Sequence, residues 1–265
     1  MDRVVDFHNH VLHGIDDGPK SLDSAIDMVT YAASTGITDI VNTTHINHPR
    51  IDTSMVTREL LETKVSEIKS NLPDHIRMNI HISSEVYFSH DLKDRIDESL
   101  MIYNDKYILI EFPIINFPSG FEDVLFDILL SGYIPVIAHP ERYRVIQTNI
   151  KFIDKLVSMG CIVQIDAGSI IGGFGSVCKD TALRLLSSGN CHLIGSDAHD
   201  TSKRGFCLLD AIDLLSDTSK DLSEALLLNA QNILDGSDLE KDMPLVNFSQ
   251  EKLLTRIKGY FNEKN

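Results

Sequence analysis

Short apolar runs alternate along the chain with longer amphipathic stretches, and the alternation predicts most of the elements. The first run, Val4-Val5-Asp6-Phe7, ends in His8-Asn9-His10. Ser21 to Ser34 follows, with Leu22, Ala25, Ile26, Val29 and Ala33 at helical spacing and Gly36 just past its end, so one face of a helix is buried there. Thr38 to Thr43 reads as a second strand running into Thr44-His45, Thr53 to Ser70 as a helix, and Ile76 to Ile82 as a third strand leading to Ser84-Glu85. Further strands are predicted over Tyr107 to Ile110, ending at Glu111, and over Ile134 to Ala138, ending at His139. Two more run from Cys161 to Ile165, ending at Asp166, and from Cys191 to Gly195, ending at Ser196-Asp197-Ala198-His199. The helices between and after them fall at Glu122 to Leu130, Ile150 to Met159, Lys179 to Ser187, Leu208 to Leu215 and Ser223 to Ile233.

Seven strand-then-helix units predict an α/β protein whose parallel sheet closes as a barrel, because right-handed crossovers put every helix outside. Such barrels carry their sites at the carboxyl ends of the strands. Nearly every predicted strand here ends in His, Asp or Glu. Chance would scatter those residues over both strand ends and the helix surfaces.

Composition narrows the picture. At 265 residues, with no repeat and no long Pro/Gly/Ser-rich linker, residues 1–265 are expected to form a single domain. A C-terminal extension starts at about 236 and contains a predicted helix from Gln250 to Phe261. A formal net charge of −15 argues against nucleic acid or an anionic membrane as partner. It leaves room for an anionic substrate, since divalent cations would reverse the local sign. Neither a secretory leader nor an apolar run of membrane-spanning length is visible, so a cytoplasmic protein without membrane insertion is expected. Cys161, Cys178, Cys191 and Cys207 lack CxxC spacing and read as reduced structural thiols.

The candidate chemistry starts at the first strand. Alternate side chains of a strand share a side, so His8 and His10 can face one ion. Joined by Asp17, His45, Glu85, Glu111, His139, Asp197 and His199, they would bring five imidazoles and four carboxylates to one barrel mouth. That mixture suits manganese, iron or zinc better than calcium, and four crowded carboxylates call for two or three ions.

These residues carry a resemblance. His8-x-His10, Asp16-Asp17-Gly18-Pro19, Thr44-His45, Ser84-Glu85, Ile110-Glu111-Phe112, Ala138-His139-Pro140-Glu141-Arg142-Tyr143 and Ser196-Asp197-Ala198-His199 look like the successive motifs of the polymerase and histidinol phosphatase (PHP) superfamily. Their order and spacing resemble most closely its bacterial manganese-dependent protein tyrosine phosphatases of capsule and exopolysaccharide synthesis, from the first strand to about Ile233. The resemblance implies a distorted (β/α)7 TIM-like barrel with a trinuclear site. His8, His10, Glu85 and Asp197 would surround one ion, Glu85, Glu111 and His139 a second, and Asp17, His45 and His199 a third. Asp17 matches the family's ligand, and Asp16 is expected to support the loop. Arg142 and Arg204 would bind phosphate, a role that suits a planar guanidinium, against the alternative of a surface ion pair such as Arg142 with Glu141. Asp197 or His199 could assist the leaving group through water.

The implied function is hydrolysis of phosphotyrosine on a bacterial tyrosine autokinase, with manganese as the expected metal and iron or zinc as alternatives. Rival readings are a histidinol-phosphate phosphatase, a phosphodiesterase or nuclease, and a noncatalytic metal-binding partner module. The Cys178-x5-Arg184 spacing of cysteine-dependent phosphatases also occurs, but Lys179 to Leu186 reads as a helix with no glycine, so the match is treated as chance. His13 and His48 lie near ligand-bearing loops, whereas His75 and His90 are expected to be solvated and His81 and His192 to sit hydrogen-bonded within strands. Asp166 departs from the family's Asn, Ser or Thr and is expected to bond the Gly168-Ser169 backbone. Gly172-Gly173-Phe174-Gly175 is expected to be a mobile loop at the mouth.

Overall fold

The structure, a computed structural model, describes residues 3–95, 103, 104 and 106–248. Its seven strands are β1 (Val5–Asn9), β2 (Asp39–Ile46), β3 (Asn79–Tyr87), β4 (Tyr107–Glu111), β5 (Ile134–Ala138), β6 (Ile162–Asp166) and β7 (Leu193–Gly195). They pair in sequence order, every neighbouring pair parallel. Closure between β1 and β7 is made at the carboxyl ends: Asp197 N donates to His8 O at 2.7 Å and His10 N to Ala198 O at 2.8 Å. The seven parallel strands thus form a nearly closed barrel wrapped in helices.

The helices are α1 (Leu22–Thr35), α2 (Arg58–Asn71), α3 (Phe121–Leu130), α4 (Arg144–Thr148), α5 (Phe152–Met159), α6 (Ala167–Ile171), α7 (Ser176–Ser187), α8 (Leu208–Ser216) and α9 (Lys220–Asp235). Ser21 caps α1 in a capping box with Ser24, an arrangement that contributes about 1 kcal/mol. Several boundaries differ from the sequence reading, four of them at elements that frame the site. Helix α2 starts five residues later than Thr53, at Arg58, because Thr57 takes the extended capping conformation and accepts from Leu60 N. Strands β2 and β3 run past their predicted ends, so His45 and Glu85 lie paired within strands and not just beyond them. Strand β7 is shorter, leaving His192 ahead of it, where the ring accepts from Val163 N.

Two apolar sets divide the strand residues by alternation. Val5, Phe7, Val41, Leu109, Val136, Ala138, Ile162 and Leu193 fill the barrel's interior, while Ile40, Ile108, Ile110, Ile137, Val163, Ile165 and Ile194 pack against the helices. Along β1 the alternation is broken. Asp6 pairs with Ile40 and Asn9 with Asn42, so three steps on β1 match two on β2. This bulge carries one extra residue, and after inward Phe7 it lets His8 and His10 reach the mouth.

Beyond α9, Leu239 and Met243 are buried against the barrel and Asn229 exchanges hydrogen bonds with the Glu240 backbone. The predicted helix from Gln250 to Phe261 lies outside the described residues. Among those residues, no helix is long and apolar enough to cross a membrane.

Candidate metal centre

All nine residues expected to gather do so at the carboxyl ends of the strands. His8, His10, Glu85 and Asp197 form one group in which ligand-type atoms lie within 4.8 Å of one another; His10, Asp17, His45 and His199 form a second; His45, Glu85 and Glu111 form a third. His139 sits beside the last, its Nε2 2.8 Å from Glu85 Oε1 and 4.0 Å from Glu111 Oε1. The first group is the expected foursome. The other two differ from the expected division, with His10 added to one and His45 standing where His139 was expected in the other.

Two strand-end residues are held in unusual backbone. His139 and Asp197 have φ of 31° and 50°, the left-handed region that costs a non-glycine residue about 1–3 kcal/mol unless its surroundings hold it. At β5 that turn aims His139 inward directly after inward Ala138. At β7 a close approach makes room: a Cβ on Gly195 would lie 2.4 Å from His8 Cβ, so only glycine lets the two strands meet there.

The ligand-type rings are braced from behind. Gln164 Oε1 lies 2.9 Å from His8 Nδ1, and Asp16 Oδ2 lies 3.0 Å from His10 Nδ1 while also accepting from His45 N. His199 Nδ1 is 2.9 Å from the Asp197 carbonyl. These contacts leave the other ring nitrogens facing the shared space, which is how metal-binding histidines are oriented.

Whether the residues fit cations can be judged from atoms that lack partners. His45 Nδ1, Glu111 Oε2, His139 Nδ1 and His199 Nε2 are buried without a hydrogen bond. Several are nonetheless close to a carboxylate: His45 Nδ1 is 3.2 Å from Glu85 Oε2 and His199 Nε2 3.1 Å from Asp17 Oδ1. Proximity without alignment means the lone pairs converge on points between the groups. The electrostatics agree. Burial opposes charge on His8, but Glu85 and Asp197 outweigh it and raise its pKa to about 9. Burial and the negative charge of Glu85 push the Glu111 carboxyl up to about 7. Burial, helped by the nearby charge of His10, outweighs the carboxylates around His45 and brings it down to about 4, which favours the neutral imidazole. The protons held by His8 and Glu111 occupy positions a divalent cation would take. The donor set fits a borderline-hard metal.

Both arginines stand at the rim. Arg142 Nη1 donates to Asp197 Oδ2 at 2.8 Å and to Asp166 Oδ2 at 3.2 Å, and Arg204 Nη2 donates to the same Asp197 oxygen. Asp197 Oδ1, by contrast, faces His8 and His10, each at 3.5 Å. The buried Arg204 Nε has no partner.

Other expectations are corrected here. Asp166 does not bond the Gly168-Ser169 backbone; it pairs with Arg142 because its fully buried carboxylate finds a cation within reach. Glu141 is no surface partner for Arg142: it is buried, accepts from Asp166 N and Ser169 Oγ, and burial together with Asp166 raises its pKa to about 8. The Gly172 to Gly175 loop is tied down, with Gly173 N donating to Gly168 O at 2.7 Å and Phe174 packed on Arg142. His13 lies between Lys64 and Glu67, away from the cluster, whereas His48 stacks beside His45 with ring centroids 4.7 Å apart. Cys178 lies in α7 with its thiol pKa raised by burial, the opposite of a nucleophilic cysteine. Gln164 went unnoticed as a site residue; its signal was a polar side chain at an interior position of an apolar strand.

The sequence matches the capsular polysaccharide synthesis family CpsB/CapC over residues 4–235. The chain belongs to this family. It is 34% identical over 246 residues to the tyrosine-protein phosphatase YwqE of Bacillus subtilis, covering 91% of this chain and 95% of YwqE. To the tyrosine-protein phosphatase CpsB of a serotype V Streptococcus agalactiae it is 26% identical over 241 residues, covering 87% and 98%. A crystal structure from work on YwqE of Bacillus subtilis and CpsB of Streptococcus pneumoniae, described as unique metal-dependent tyrosine phosphatases, superposes with a TM-score of 0.82 at 31% identity. It is matched over its whole length and over 92% of this chain. An organophosphorus hydrolase variant from Deinococcus radiodurans, 13% identical with a TM-score of 0.54, shares the barrel alone.

Proposed function

We propose that this CpsB/CapC member is a metal-dependent tyrosine phosphatase in which His8, His10, Asp17, His45, Glu85, Glu111, His139, Asp197 and His199 hold two or three manganese ions. The observation that carries the reading is the meeting of two guanidinium groups on Asp197 Oδ2, at the edge of an imidazole and carboxylate cluster whose own lone pairs lack partners. Residues 1–265 act as one cytoplasmic catalytic domain with an extension from about 236, and the substrate is a tyrosine-phosphorylated autokinase of capsule synthesis.

Divalent cations bound in such a site acidify water into a nucleophile and draw charge from the phosphoryl oxygens. The chain's own residues supply the rest. Arg142 and Arg204 take the phosphoryl oxygens, each guanidinium able to offer paired donors, and so offset the charge that builds during attack. Asp197 keeps the two in register. Gln164 and Asp16 fix the His8 and His10 rings, so no reorientation is needed on substrate binding. A tyrosyl oxygen, with a pKa of about 10, leaves with less proton help than an alkoxide needs.

The test is a panel on metal-analysed protein with manganese added: a phosphotyrosine peptide, histidinol phosphate and a bis-phosphoester. Hydrolysis of the peptide, abolished in an Asp197→Ala, His199→Ala double variant, is expected. Histidinol phosphate hydrolysed with the peptide untouched would transfer the assignment to the histidinol-phosphatase reading, and no turnover on any ester would favour a metal-binding partner module.

A further inference from the structure

Arg142 can serve a substrate only if something other than the substrate holds it, because Asp197, one of its anchors, also faces the cluster. We propose that Asp166 and Phe174 form a clamp that fixes the Arg142 guanidinium for phosphate recognition, both acting as positioning residues. The inference rests on the reading of Arg142 as a phosphate-binding residue.

The clamp has a charged side and an aromatic side. Asp166, at the end of β6 and fully buried, accepts from Arg142 Nη1 at 3.2 Å. The Phe174 ring lies 5.0 Å from the guanidinium carbon, within the range of a cation–π contact. Both carboxylate anchors use Nη1, so the Nη2 edge of the fork is committed to neither. A planar cation gripped on one edge and one face presents its remaining edge in a single orientation, which is what two-oxygen recognition of phosphate requires.

The surrounding chain is shaped for this. Glu141, next to Arg142 in sequence, reaches back to accept from Asp166 N at 3.1 Å and from Ser169 Oγ at 2.7 Å, which fixes the start of α6. The turn that follows returns Phe174 over α6. Its ring lies so close that a Cβ on Gly168 would be 2.7 Å from Phe174 Cε2, so glycine at 168 lets the ring tuck in. Phe174 also lines a crevice with Arg204 and Ser196. The glycine-rich stretch and the unexpected Asp166 therefore have one shared purpose.

The experiment measures inorganic phosphate binding to manganese-loaded protein by calorimetry, with KM and kcat on a phosphotyrosine peptide. The variants are Phe174→Ala, Phe174→Tyr, Phe174→Leu and Asp166→Asn, alone and combined with Arg142→Ala, with metal content and thermal midpoint checked for each. Phe174→Ala, Phe174→Leu and Asp166→Asn are expected to weaken phosphate binding and raise KM roughly two- to tenfold, the range of a partly desolvated cation–π contact, at unchanged metal content. Phe174→Tyr is expected to restore wild-type values, because it keeps the ring face. In the Arg142→Ala background none of these changes should add further loss. Losses that multiply in that background, or a Phe174→Leu protein indistinguishable from wild type, would overturn the clamp. If Arg142→Ala itself binds phosphate like wild type, the reading beneath the clamp fails, and the clamp with it; if Arg142→Ala is defective while the others are not, the clamp alone fails. Should Asp166→Asn not fold, the Phe174 series decides.

Discussion

Gly195→Ala tests the geometry of the mouth without assuming any reaction. The added Cβ would lie 2.4 Å from His8 Cβ and 2.9 Å from His8 N, and the second contact is with backbone, which no rotamer change can relieve. Ordinary contact begins at 3.4 Å, so β1 and β7 must part by about 1 Å. Overpacking of this kind costs about 1–3 kcal/mol. For a chain of this size, each kcal/mol lowers the thermal midpoint by about 2–4 °C, giving a fall of roughly 2–12 °C. The same displacement is about twice the 0.5 Å within which a site must be held. Metal affinity should therefore fall at least as far as it does on losing a supporting hydrogen bond, about tenfold or more. Thermal melts of metal-free protein give the first effect and manganese calorimetry the second. A variant melting within about 1 °C of wild type, with unchanged manganese affinity, would refute the close packing of β1 on β7 as the device that places His8.

Gln164→Leu removes the partner of His8 Nδ1 while keeping side-chain volume, and should lower manganese affinity by about 10- to 100-fold with little change in midpoint. Unchanged affinity by calorimetry would mean that the ring is oriented by packing alone. The pH dependence of the metal-free protein has a definite sign. His8 is raised from 6.5 to about 9, Glu111 from 4.5 to about 7 and Glu141 from 4.5 to about 8, so the folded state holds protons the unfolded chain has released. The stability these groups contribute is complete below their unfolded values and is lost as pH rises through about 7 to 9, so the midpoint should fall over that range. Manganese must displace protons at the cluster, so its stabilising effect should grow over the same range. Melts at a series of pH values with and without manganese check both; a metal-free midpoint that climbs toward pH 9 contradicts the electrostatics.

The strand-then-helix rhythm was legible because the strands are largely buried on both faces, and the strand-end placement of His and acidic residues follows from the barrel's single functional face. What was not legible depends on departures from regular geometry. Two-residue alternation from Val5 and Phe7 would have turned His8 out toward the helices; the β1 bulge that turns it inward leaves no mark in composition. His139 likewise follows inward Ala138 only through a left-handed turn. Asp166 was misassigned because local backbone bonds are the usual partners of a strand-end aspartate, while its actual partner, Arg142, is 24 residues away in sequence and comes near only when β5 and β6 pair.

Asp197 explains why the candidate metal cluster and the arginine pair should be regarded as one unit. Its Oδ1 looks toward His8 and His10 and its Oδ2 takes both guanidinium groups, so a single carboxylate is divided between two kinds of cation. Surrounding positive charge outweighs burial and holds its pKa well below the ordinary range, His8 contributing most. Arg142 has a second anion in Asp166, whereas beyond Asp197 the Arg204 hydrogen bonds among the described residues run through its main chain, to His199 and Asp200, and its buried Nε lacks a partner. An incoming phosphoryl group would thus meet one arginine that is already fixed and one with a donor to satisfy. On the proposed reading, that asymmetry gives the two arginines different work: Arg142 would set where the phosphate sits, and Arg204 would gain a partner when it arrives.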